Sequence, residues 1–173
     1  MTPSPPDAAP RLFDRTLLRA KEARAARMGP ATFLLDRIAE DMAERQSAVL
    51  RDFSDGVDIG TPGDQVRAAL AARVRRLRPV ALPVSDAEAL ELEPASVDLA
   101  VSALALHFVN DLPGTLAQIR RALKPDGLFL AALMGGDTLT ELRQSFAAAE
   151  AEVEGGLSPR VAPFADLRDL GGL

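Results

Sequence analysis

Two apolar runs separated by a capped helix restrict this chain more than any other feature of its sequence. Val97 to Phe108 is apolar enough for a strand buried on both faces, and Leu128 to Met134 is a second such run. Between them Asn110-Asp111 opens a helix that continues to Leu123, and Lys124-Pro125-Asp126-Gly127 makes the turn out. A strand, a helix and a strand in that order form a parallel crossover. The expected fold is therefore α/β, with a mostly parallel sheet covered by helices on both faces.

The alternation extends both ways. Val57-Asp58-Ile59-Gly60 reads as a short strand ending in a turn, and Gly63-Asp64 opens a helix through about Arg73. Leu77 to Val84 is a candidate strand that Pro79 and Pro83 confine to an edge or shorten. Downstream, Gly135-Gly136 turns into a helix from Thr138 to about Val153, and 155–173 is loop-like. Upstream, Pro30 suits the first turn of a helix reaching about Phe53. Before it, Arg11 to Arg27 carries six Lys/Arg against Asp14 and Glu22. That segment reads as a solvated helix packing Leu12, Phe13, Leu17 and Leu18 on the domain; a membrane-surface helix and a transit peptide are the other readings. Residues 1–10, with four prolines, read as a disordered tail. The organisation is thus a tail (1–10), a helical segment (11–54) and an α/β domain (55–173).

Composition removes several function classes. The chain has no cysteine and one histidine, His107, so thiolate sites and histidine-cluster metal sites are excluded. A net charge of -5 argues against a general nucleic-acid binder, and without Tyr or Trp a base-stacking platform is weak. No apolar run reaches the ~20 residues of a membrane-spanning helix. A cytoplasmic location is expected.

In a parallel sheet of this kind, ligands bind beyond the carboxyl ends of the strands, where the strand order reverses. That directs attention to the turn after Ile59, the stretch around Asp86 and the strand end at His107. A lone histidine there is more often a packing residue, although its pKa range suits a general base. Asp86 lies 26 positions after Gly60, near the ~20-residue spacing of a ribose-binding acid; the alternative is an N-cap on a helix from Ala87 to Leu92. Asn110 and Asp111 read as helix caps.

Val97-Asp98-Leu99-Ala100-Val101-Ser102 through Leu112 resembles the fourth strand of class I S-adenosylmethionine (SAM)-dependent methyltransferases. Leu116-Ala117-Gln118-Ile119 through Leu133 resembles their next helix, turn and fifth strand. Gly135-Gly136-Asp137-Thr138-Leu139, Ser158-Pro159-Arg160-Val161-Ala162-Pro163-Phe164 and the opening Leu12-Phe13-Asp14-Arg15 narrow the match. Together they are similar to bacterial relatives of the mitochondrial complex I assembly factor of methyltransferase fold. They also resemble the malonyl-carrier-protein O-methyltransferase of biotin synthesis.

The resemblance implies a Rossmann-like, doubly wound sheet and SAM as cofactor, with Asp58, Gly60, Gly63, Asp86 and Ala87 around it and His107 facing the acceptor. The segment Asp86-Ala87-Glu88 resembles the family's third-strand exit, where an acid meets the adenine amino group. Two departures stand out. In the family's D-x-G-x-G-x-G pattern this chain keeps Asp58 and Gly60, but Pro62, with no N–H, and Asp64 replace the later glycines. The interval from Gly63 to Asp86 is also too short for two βα units, each crossover taking at least ~10 to 12 residues. One strand and one helix are therefore missing, with the ribose-binding acid, and the family's last strands lie beyond Leu173. A second copy covering the sheet edge is one expected consequence.

Three functions follow from this reading. The first is methyl transfer from SAM to a protein side chain or carrier-bound acid. The second is a non-catalytic assembly or scaffold protein on the same fold. The third is SAM-binding protein-arginine hydroxylation. No metal is expected.

Overall fold

The computed structural model describes residues 11–83 and 88–172. The tail read over 1–10 and the proposed cofactor residues Asp86 and Ala87 lie outside them. Two compact units are present, divided between Ala132 and Leu133.

The first unit contains helices α1 (Arg15–Arg27), α2 (Phe33–Ala48), α3 (Gln65–Leu70) and α4 (Leu112–Ala122). Its strands are β1 (Phe53–Ile59), β2 (Val74–Val80), β3 (Val97–Ala103) and β4 (Leu123–Ala132). All three strand pairings are parallel, and the spatial order is β2-β1-β3-β4. From β1 the chain first builds outward on one side through β2, then crosses to the other side for β3. The order therefore reverses between β1 and β3. Among the described residues, only α3 and β2 stand between β1 and β3, which agrees with the missing βα unit.

The core explains where the elements fall. Leu35, Ala39 and Met42 of α2 and Val66 and Leu70 of α3 pack with Leu99, Val101 and Ala103 of β3. β3 is buried along almost its whole length, as expected of a strand covered on both faces. Phe53, only 1% exposed, belongs to this cluster. Its burial as the first residue of β1 ends the preceding helix at Ala48, short of the expected end near Phe53. β1 and β3 pair directly only from Gly56 to Asp58. Upstream, the Asp98 carboxylate accepts hydrogen bonds from the Ser54 and Asp55 N–H groups at 3.0 Å, replacing the absent ladder bonds.

Several boundaries depart from the expected ones. The edge strand β2 starts at Val74 rather than Leu77 and stops before Pro83. Its Arg75, Arg76 and Arg78 are exposed, as suits an edge. β3 stops at Ala103 because Leu104 takes a positive φ of 55°. Leu106–Phe108 then forms one 3-10 turn rather than more strand. Residues 88–92 are not helical. Glu88 has φ 40° and its carboxylate is drawn toward Asn110, so the helix read over Ala87–Leu92 is absent there. Asp111 caps α4 by accepting from the Gly114 N–H, whereas the Asn110 side chain turns to the N-terminal segment instead of capping. Asp14 caps α1, but α1 buries no residue: Leu12 and Leu17 are exposed, and only Phe13 and Leu18 are half-buried.

The second unit holds α5 (Thr140–Val153) and α6 (Leu167–Gly171), the latter lying within a stretch read as loop. Asp166 creates α6 by accepting from the Arg168 N–H. Arg143 donates to the Gly136 carbonyl and lies over the Phe164 ring, so two of the segments that carried the family resemblance are joined there. Among the described residues, no helix is long and apolar enough to cross a membrane.

Candidate functional site

The strand-order reversal places the carboxyl ends of β1 and β3 side by side, and a glycine turn follows β1 there. Gly60 follows β1 with φ +71°. A Cβ at Gly60 would lie 2.7 Å from Leu82 Cγ and 3.0 Å from Ala105 Cβ, so only glycine fits the turn. The turn is anchored on both sides. The Gly60 N–H donates to the Val80 carbonyl of β2. Ser102 Oγ donates to the Ile59 carbonyl at 2.7 Å, and the Ala103 N–H donates to Thr61 Oγ1 at 2.9 Å.

Asp58, one residue before the end of β1, is 1% exposed. Its carboxylate accepts from Arg67 of α3 at 2.7 Å. Burial pushes the Asp58 carboxyl above the ordinary aspartate range, against the opposing pull of Thr61 and Arg67. A buried carboxylate is costly without such partners, so Arg67 is part of the turn's architecture. Pro62, Gly63 and Asp64 are exposed, and the Asp64 N–H is taken by Gln65 Oε1.

Beyond β3, the 3-10 turn presents His107 and Phe108. The two rings lie 4.2 Å apart, and burial lowers the His107 pKa below the ordinary histidine value. The imidazole is therefore neutral at neutral pH. A cavity of about 120 Å³ lies over this corner. Gly60, Leu82, Ala105 and Phe108 form one wall, and Arg15 and Arg19 of α1 contribute to the other. A second, open cleft of about 330 Å³ lies alongside the end of β2, with Arg19, Arg78 and Glu91 at its rim.

Of the sequence-derived candidates, Asp58 and Gly60 meet at this corner. Gly63 lies further along the exposed part of the turn, and His107 stands between two residues of the cavity wall, Ala105 and Phe108. Sequence reasoning missed Arg67, Arg15 and Glu88, and read Asn110 only as a cap. Glu88 is 4% exposed and accepts from the Asn110 and Asp111 N–H groups at 2.9 and 2.8 Å. Its signal in the sequence is its place in Asp86-Ala87-Glu88, the segment that resembles the family's third-strand exit.

The Gly60 turn has the backbone shape of a SAM site, but the Gly60 and Asp64 N–H groups are already bonded within the protein and the cavity is small. The positive-φ glycine beside the strand-order reversal is the feature a nucleotide-type ligand uses. Leu82, however, covers Gly60, and 120 Å³ is well below the ~300 Å³ at which ligand pockets begin.

Comparison with known proteins gives a match to a methyltransferase domain model over residues 43–131. The mouse protein named arginine-hydroxylase NDUFAF5, mitochondrial, is 40% identical over 183 residues, covering 94% of this chain and 53% of that protein. A malonyl-[acyl-carrier protein] O-methyltransferase of Xylella fastidiosa is 44% identical over 93 residues, covering 54% of this chain and 30% of the relative. The chain thus spans about half the length of the mouse relative. Among solved structures, YcgJ of Bacillus subtilis superposes with a TM-score of 0.54 at 18% identity, covering 79% of this chain and 65% of that one. A methyltransferase candidate from Bacillus halodurans C-125 gives 0.54 at 17% identity, covering 76% and 62%. These two likenesses speak for the fold alone.

Proposed function

The chain belongs to the methyltransferase-domain family, and we propose that it transfers a methyl group from SAM to an acceptor. The observation that carries the proposal is the Gly60 turn, which opens beside Asp58 where the strand order reverses. The O-methyltransferase relative supports the same reading. When bound, SAM supplies an electrophilic methyl group on its sulfonium. Gly60 lets the ligand approach the backbone closely, and Ser102 and Thr61 keep the turn in place. Ala105 and Phe108 form apolar wall that excludes water. His107, neutral because it is half-buried, is proposed to face the acceptor and take its proton. Asp86 and Ala87 are proposed to lie on the adenine side. Such a transfer depends mainly on positioning and desolvation, so no further catalytic group is required. The acceptor is proposed to be a protein side chain or a carrier-bound acid.

A second reading, an assembly or scaffold protein on the same fold, is favoured by a specific observation. Arg67 already occupies the Asp58 carboxylate, and Leu82 covers Gly60. Calorimetric titration of SAM and S-adenosylhomocysteine (SAH) into the folded protein separates the two readings. Saturable binding that Gly60→Ala weakens is the expected result. No heat at roughly millimolar ligand would overturn methyl transfer and leave the scaffold reading. The mouse relative's name raises arginine hydroxylation as a third activity. Oxygen-dependent mass gain on a protein arginine, without methylation, would select it.

A further inference from the structure

We propose that the N-terminal segment 11–27 is a strap closed over the carboxyl ends of the strands, with the Asn110–Glu88 pair as its latch. Its occlusion of the cofactor corner rests on the methyl-transfer reading above; the latch itself does not.

The strap is held in an unusual way. α1 buries none of its residues, so it is not seated by an apolar face. Polar bonds concentrated at its start hold it instead. Asn110 Oδ1 accepts from both the Leu12 and Phe13 N–H groups at 2.9 Å, and Asn110 Nδ2 donates back to the Phe13 carbonyl at 3.1 Å. Arg15 donates to the Phe108 carbonyl at 2.8 Å and to the Pro83 carbonyl at 3.3 Å. Arg19 donates to the Leu82 carbonyl at 2.9 Å. The Phe13 ring meets Phe108 edge-on, with centroids 5.8 Å apart. Every receiving group belongs to the chain just beyond β2 or β3.

Glu88 makes Asn110 a latch rather than a loose contact. Its buried carboxylate accepts from the Asn110 N–H, the Asp111 N–H and Asn110 Nδ2, which fixes the amide's orientation toward the strap. Burial at the corner lowers the Arg15 pKa from its ordinary value, and the Glu88 charge opposes that shift. The 120 Å³ cavity is what remains between the strap and Gly60 while the latch is closed. A ligand of SAM size requires the strap to lift. An element bound by a few polar groups and no buried apolar side chain belongs to the low-stability end of a fold, where such opening occurs.

The test needs no ligand. The sequence has no cysteine, so Ala105→Cys places a single thiol in the cavity wall, where Ala105 is only 5% exposed. The rate at which a maleimide modifies that thiol reports how often the strap opens. Adding Asn110→Ala removes three strap bonds and is expected to speed labelling at least about tenfold, with amide exchange in β1 and β3 unchanged. Phe13→Ala lies on the strap itself, and should act in the same direction if Asn110→Ala disturbs folding. Labelling as slow with the latch cut as with it intact overturns the proposal. SAH is then added to the single-thiol protein: protection places the ligand beneath the strap. Binding without protection overturns the occlusion, whereas absence of SAH binding by the unsubstituted protein refutes the methyl-transfer reading and leaves the strap decided by its labelling rates.

Discussion

At the residue scale, the most telling feature is a buried carboxylate whose partner comes from a short helix. The Asp58 carboxyl has no exposed side-chain surface, while the Arg67 side chain retains 24% exposure. Removing a partner from a buried ion pair leaves its charge uncompensated, and part of that cost is relieved where water reaches the site. Arg67→Ala is therefore expected to destabilise the first unit by about 2 kcal/mol, read as a lower midpoint in denaturant melts. A change within ~0.5 kcal/mol, typical of an exposed arginine, would show that Asp58 does not depend on this pair. Asp58 and Gly60 stand out in the sequence because they match the family's D-x-G-x-G-x-G pattern at the end of a strand. Arg67 carried no such signal: an arginine in an amphipathic helix reads as solvated until the fold turns it onto Asp58.

Among the elements, α5 and the loop after it show how a single side chain fixes a turn without a core. Glu150 accepts from the Ser158 N–H and hydroxyl, each at 2.8 Å, and pairs with Arg160. These bonds, the Ser158 ones foremost, hold its carboxyl at about 2, below the ordinary 4.5. A depressed folded pKa means that the unfolded chain takes up the proton first. The clasp therefore contributes its full stability above about 4.5 and loses it progressively as pH falls toward about 2. The Ser158 amide signal in NMR should shift with a midpoint near 2, and a midpoint near the ordinary value would refute the clasp. Glu150→Gln should remove that transition. In sequence, Ser158 to Asp166 looked like loop because turn residues and proline fill it. Its order comes from side-chain bonds that leave no periodic trace.

Across the whole molecule, apolar burial is unevenly distributed. Every buried hydrophobic residue in the described structure lies between Leu35 and Ala122, and in the second unit Glu150 is the buried residue. Local stability follows buried apolar contact, so the two units should open at different free energies. Amide exchange in α5 and α6 is expected to run at least a hundredfold faster than in β1 and β3, a gap of about 2.7 kcal/mol or more. Equal protection in both units would show that they unfold as one. The second unit also carries exposed Leu142, Phe146 and Val153 on α5.

The sequence alone determined the parallel α/β plan, the two apolar runs that became β3 and β4, the shortened stretch after β1 and the Gly60 turn. Each of these is written in local periodicity, in turn chemistry or in the length of chain available. β3 is buried as expected, whereas β4 starts already at Leu123, through the expected turn, and is only half-buried. Tertiary structure alone decided that β3 ends at Ala103 and that residues 88–92 do not form a helix. It also decided that Asn110, a candidate cap, holds the N-terminal segment at Phe13, 97 residues earlier in the chain. The physical reason is the same in each case. A polar side chain is satisfied by whichever donor or acceptor the fold brings within reach, and sequence spacing does not record which one that is.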